Sequence, residues 1–227
     1  MRAPGVQGPR NRLYRMNRCL PRRLVAALLV LVPFALCAQD IPRPKEFYFE
    51  ADAEVVRKLE LYPGDDEATV DRLFKARERG RRGEAALASA QLARVAYGDG
   101  RADLGRALYA EAASRAESAR MRDSVHWNHG WDLYRSGDVA AALEQWRSAG
   151  AERLKGPSWL PPTLALGLWR LDRREEAVRW YAAAVRTEPQ QWRAPDLERL
   201  LPDWTDAERA TLAEVAAAWQ ANPPSWP

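Results

Sequence analysis

From residue 66 onward, apolar and small residues recur at steps of three and four, the spacing that gathers them on one side of an α-helix. The pattern predicts helices over Asp66–Arg79, with Val70, Leu73 and Phe74 on one side, and then over Ala85–Tyr97, Ala102–Ser118 and Ser124–Arg135. Val139–Ala149, Pro162–Leu171 and Arg174–Thr187 continue it, followed by a short helix at Pro195–Leu201 and a longer one at Asp206–Gln220. Turns fall at Gly98-Asp99-Gly100, Ser136-Gly137-Asp138 and Asp172-Arg173, and breaks at Gly80, Gly83 and Gly156-Pro157. Thr205-Asp206-Ala207-Glu208 has the form of a capping box, with Thr205 as N-cap. Upstream, Pro42 and Pro44 exclude a helix, so residues 39–50 form an extended arm whose Phe47-Tyr48-Phe49 triplet is expected to dock on an apolar surface. A short helix is expected at Asp52–Leu61, then a turn at Tyr62-Pro63-Gly64-Asp65.

The helices also repeat in pairs. Ala177, Tyr181, Ala184 and Pro189 stand at a spacing that Ala142, Trp146 and Ala149 reproduce, and that Gly105, Tyr109 and Ala112 offer once more. The copies are offset by 37 and then 35 residues. Small residues in both helices of each pair (Ala93 with Gly105, Gly130 with Ala142, Ala165 with Ala177) allow close approach of the backbones. The aromatic four residues later is expected to fill the space toward the next pair.

These spacings resemble the tetratricopeptide repeat family, whose period is about 34 residues, over residues 158–191, 123–156 and 86–119. Gly105 departs from the family's usual alanine, and the connections are longer than standard. The resemblance implies an all-α solenoid of about three helical hairpins with flanking capping helices. It also implies that the first helices line a concave groove, and that the protein is a scaffold or adaptor holding a peptide or protein segment. On this division 39–84 is an arm and helical cap, 85–191 the repeats, and 192–227 capping helices with a proline-rich tail.

Residues 1–38 have a different composition. They carry seven Arg and no acidic residue, then thirteen apolar residues from Leu24 to Leu36, then Cys37-Ala38-Gln39. This order is that of a secretory signal peptide, starting compactly at Met16, with cleavage expected near Ala38 and a periplasmic or secreted destination. A thirteen-residue helix spans roughly 20 Å, too short for a bilayer core of about 30 Å, and no transmembrane span is expected in the mature chain. Lipid attachment at Cys37 is the rival expectation. Residues 39–227 hold 28 basic against 31 acidic residues, a net charge of −3, which argues against a nucleic-acid partner. Both cysteines, Cys19 and Cys37, fall in the leader, so the mature chain has no thiol chemistry and no disulfide.

All ten tryptophans lie between 127 and 226. Trp127, Trp131 and Tyr134 share one face of a first helix, and with Gly130 packed inward this face points into the groove. Arg94, Tyr97, Leu166, Trp169 and Arg170 take corresponding places in neighbouring copies, and Arg135 and Trp159 complete the expected partner site. Aromatic residues and arginine dominate interface energetics. The alternative places Trp127 and Tyr134 in the core. His126 and His129, at i and i+3, are weak metal candidates lacking a third ligand, and the pairing of a zinc protease is absent. No nucleophile elbow, P-loop or dinucleotide fingerprint occurs, so neither catalysis nor a cofactor is expected. The expected partner is a protein or peptide of the cell envelope. A wall- or glycan-binding module, using tryptophans to stack on sugars, is the alternative, and a helical enzyme the remaining one.

Overall fold

The computed structural model describes residues 41–44, 48, 55–150 and 156–225. The chain divides into Met1–Ala38 and Gln39–Pro227. The leader, Cys37 and the cleavage position lie outside the described residues, as do Phe47 and Phe49. The fold is all-α. In order the helices are α1 (Glu67–Arg79), α2 (Arg82–Gly98), α3 (Ala102–Arg115), α4 (Ala119–Arg135), α5 (Val139–Gly150), α6 (Leu160–Arg170), α7 (Arg174–Thr187), α8 (Pro189–Trp192), α9 (Leu197–Leu200) and α10 (Asp206–Ala221). No strand occurs among the described residues.

The helices pack chiefly as α2 with α3, α4 with α5, and α6 with α7. Successive pairs meet through α3 with α4 and α5 with α6, while α1 lies on α2 and α10 on both α6 and α7. One turn geometry closes all three pairs. Gly100, Gly137 and Asp172, spaced by the repeat offsets, adopt φ of 74°, 94° and 59°. Each donates its N–H to a carbonyl three residues back (Tyr97, Tyr134, Trp169), and the next residue donates to one five back (Ala96, Leu133, Leu168). This double bond satisfies carbonyls left over at a helix end and needs one left-handed residue.

The small residues of the pairs are tightly packed, the two glycines against aromatic rings. Gly105 lies under the Tyr97 ring and Gly130 under Trp146, where a Cβ would come within 2.5 Å and 2.3 Å of ring atoms. Ala93, Ala142, Ala165 and Ala177 are fully buried. The repeat aromatics reach forward as expected: Tyr109 stacks on His129 of α4, Trp146 lies against Gly167 of α6, and Tyr181 meets Trp192 and, in α10, Trp219. The predicted capping box opens α10, with reciprocal bonds between Thr205 and Glu208.

Four local expectations are corrected. Residues 55–61 are turn and extended chain, not helix, because side chains of α2 and α4 take up their backbone groups. The helix expected through Ser118 stops at Arg115, since Ser118 caps α4 by accepting from the Met121 N–H, and α4 therefore starts at Ala119 rather than Ser124. Phe74 is 46% exposed; α1 buries the stripe Thr69, Leu73 and Ala76, on another side of the helix. The short helix expected at Pro195–Leu201 is confined to α9, and a further short helix, α8, precedes it.

Candidate functional site

Two amide side chains define a face across α2 and α4. Gln91 and Asn128 occupy equivalent places 37 residues apart, and between them they hold a strap formed by residues 55–62, which begins in a turn and is extended over 58–60. Gln91 is fully buried. Its Oε1 accepts from the N–H groups of Leu61 (2.8 Å) and Tyr62 (3.2 Å), and its Nε2 donates to the carbonyls of Tyr62 (2.6 Å) and Gly64 (3.1 Å). The full capacity of the amide is thereby used on backbone. Asn128 accepts from Leu59 N–H at 3.2 Å and donates to Arg57 O at 2.9 Å. Arg94 Nη1 donates to Leu59 O at 2.8 Å, and its Nη2 lies 3.7 Å from the Glu60 carboxylate. The far end is closed by Tyr62, with the Arg72 guanidinium 3.9 Å over its ring. Leu59 and Leu61 are half-buried and Glu60 exposed, the alternation of a strand lying on a surface.

At the upstream end of the strap Val55 is fully buried, a member of the main apolar core, and Tyr48 packs beside Trp180 with its N–H donated to Thr187 Oγ1. The docking expected of the aromatic triplet thus occurs at Tyr48.

Beside the face lies a half-buried polar cluster. Tyr109 donates to Asp132 at 2.6 Å, Tyr97 OH meets His129 Nε2 at 3.2 Å, and the Tyr109 and His129 rings stack at 4.5 Å. Burial, assisted by the positive charge of Arg106, pushes the His129 pKa down to about 4. Burial raises the Asp132 carboxyl, and the Tyr109 hydrogen bond and Arg94 pull against it. His126 is engaged separately, its Nδ1 2.8 Å from Gln145 Oε1. Among the described residues no three His, Cys, Asp or Glu side chains come together as metal ligands.

The expected aromatic stripe is corrected in one respect: it is covered. Trp127 is 6% and Trp131 8% exposed. Trp159 lies on Trp127 at 4.5 Å, and Trp204, from the loop before α10, lies on Trp131 at 4.9 Å. Trp146 completes the cluster from α5, 5.0 Å from Trp131. Tyr134 borders it, with burial raising its pKa to about 12. Arg135 sits 5.0 Å from the Trp131 ring and pairs with the buried Glu208 at 2.9 Å. With Gly130 fitted to Trp146, its neighbours on α4 are packed between elements instead of lining open space.

The remaining expected residues separate. Leu166 is core. Trp169 donates to Glu214 of α10 at 2.8 Å beneath Arg174, and Arg170 is exposed beside it. Arg94 and Tyr97 are the members that reach the strap and its supporting cluster. Gln91 and Asn128 escaped sequence inspection, although applying the 37-residue offset to polar positions aligns them. Trp204 had no signal, since it sits in a loop without periodicity.

The fold and site define an all-α protein of stacked helical pairs whose first two pairs grip an extended segment of their own chain. Among known proteins, no family model, curated protein or solved structure matches this chain. No helix among the described residues is long and apolar enough to cross a membrane.

Proposed function

We propose that the protein is an exported tetratricopeptide-like scaffold that holds an extended segment of a cell-envelope protein across α2 and α4. The grip of Gln91, Asn128 and Arg94 on strap backbone carries this reading. These side chains address N–H and C=O groups, which any extended chain presents, so the face recognises a conformation first and a sequence second. Repeated pairs, identical turns and the aromatic contacts between pairs support the repeat-solenoid part, and the order of regions in residues 1–38 supports export. The proposed site is displaced from the tryptophan stripe. Burial of Trp127 and Trp131 also removes the rings on which a sugar-stacking module would depend.

The test is a photo-crosslinking amino acid placed at Met121, half-buried and two turns before Asn128 on α4. Cross-linking in cells should yield a discrete adduct with an envelope protein that a probe at the exposed Glu78 does not give, and Gln91→Ala/Asn128→Ala should abolish it. Equal adducts from both positions reject the scaffold. Mass spectrometry of the exported chain should find its N-terminus near Gln39; an intact leader on a cytoplasmic protein rejects export.

A further inference from the structure

The strap is bound the way a partner would be. Its Leu59, Leu61 and Tyr62 N–H groups and its Arg57, Leu59 and Tyr62 carbonyls bond to side chains 29 to 71 residues away, and none of these bonds reads a strap side chain. Charge reaches the strap at Glu60, 3.7 Å from Arg94, at Tyr62, whose ring lies under Arg72, and at Lys58, which acts on the Asp132 carboxyl. From these contacts we infer that residues 55–62 are a resident occupant of the α2–α4 face, which an external extended segment displaces. That segment carries apolar side chains on both sides of an acidic one, in the register of Leu59, Glu60 and Leu61. The inference rests on the scaffold proposed above and names the pattern of its partner.

The two ends of the strap differ. At Leu61–Gly64 the chain is fixed by four Gln91 bonds, by Arg72 over the Tyr62 ring and by the left-handed turn at Gly64, φ 90°. Arg57–Glu60 is held by two Asn128 bonds, one Arg94 bond and a longer ion pair, with Val55 as its apolar anchor. Exchange therefore starts at the Val55–Glu60 end while the Gln91 end stays in place, so that Asn128 and Arg94 are handed to the incoming segment. A free carboxylate beside Arg94 and a half-buried leucine on either side are what that segment must reproduce.

A fluorescein-labelled peptide with the sequence of residues 55–62 is the probe, and the full chain is the receptor. Val55→Ala/Leu59→Ala loosens the strap without touching the gripping side chains. This variant should bind the probe at least tenfold more tightly than the unaltered protein, by fluorescence anisotropy. Adding Asn128→Ala should reverse the gain, and a probe with Glu60→Ala should bind several-fold more weakly. Equal binding by both proteins, with unchanged helical circular dichroism, overturns the inference. Should the variant fail to fold, hydrogen exchange of the unaltered protein decides: the Leu59 amide is expected to exchange at least tenfold faster than buried amides of α4, and equal rates overturn displacement. An envelope adduct at Met121 whose yield is the same with Val55→Ala/Leu59→Ala overturns the occupant and leaves the scaffold. Tight probe binding with no Met121 adduct does the reverse.

Discussion

The rings of Trp131 and Trp204 meet edge to face with centroids 4.9 Å apart, joining the middle helical pair to the loop that leads into α10. Arg135 and Glu208 make a second link one turn along each element, where Glu208 also completes its capping box. The C-terminal helix thus seals the aromatic cluster from one side while Trp159 seals it from the other.

Trp131→Ala should accordingly act on stability. Removing a buried tryptophan from a packed cluster costs about 3–5 kcal/mol. Urea unfolding followed by circular dichroism measures it, and a double-mutant cycle with Trp204→Ala should give a coupling of about 0.5–1.5 kcal/mol. A change below about 1 kcal/mol would mean that the ring contributes little to the fold.

Gln91→Ala leaves two N–H groups and two carbonyls of the strap without their partner. Orphaned buried backbone groups cost about 1–3 kcal/mol each, and part of the strap can re-solvate, so a loss of about 2–4 kcal/mol is expected. Asn128→Ala touches fewer strap groups and should cost about 1 kcal/mol. Denaturant titration of both variants checks the order; a larger effect at Asn128 contradicts it.

Acid should weaken the protein through His129. Its folded pKa, about 4, lies below the ordinary value of 6.5, so the unfolded chain takes up the proton first. Stability is complete above pH 6.5 and falls as pH drops toward 4, by a total of about 3 kcal/mol. The raised Asp132 carboxyl works in the opposite direction, since its earlier protonation in the folded state adds stability as pH falls. Stability measured from pH 7.5 to 4.5 should therefore decline less steeply in His129→Gln than in the unaltered protein. Parallel profiles would remove His129 as the cause.

The three matched turns make a paired test. Gly137→Ala places a Cβ on a residue at φ 94° and should destabilise by about 1–2 kcal/mol. Asp172→Gly relieves the one non-glycine left-handed residue among the described residues and should stabilise by up to about 1 kcal/mol, less whatever the exposed Arg174 pair contributes. Thermal melts of both variants should move in opposite directions.

Helix positions, pairing and turns were legible because each depends on residues within one or two turns of chain. Periodicity marks the buried side of a helix, glycine marks a left-handed turn, and Thr205 with Glu208 marks a helix start. The repeated small residues and aromatics carried the stacking order too, since one packing solution used three times leaves its period in the sequence. What covers a face is a different matter. Trp127 and Trp131 have the spacing of a groove stripe whether or not Trp159 and Trp204 close over them, and loops 30 to 70 residues away leave no periodic trace. Residues 55–61 have a helix-like spacing in the sequence yet are not helical, for the same reason. Their backbone bonds are taken by Gln91 and Asn128, and only the folded arrangement of α2 and α4 brings those amides within reach. Local chain chemistry determined the helices; long-range competition for hydrogen bonds and apolar cover decided which of their faces remain open.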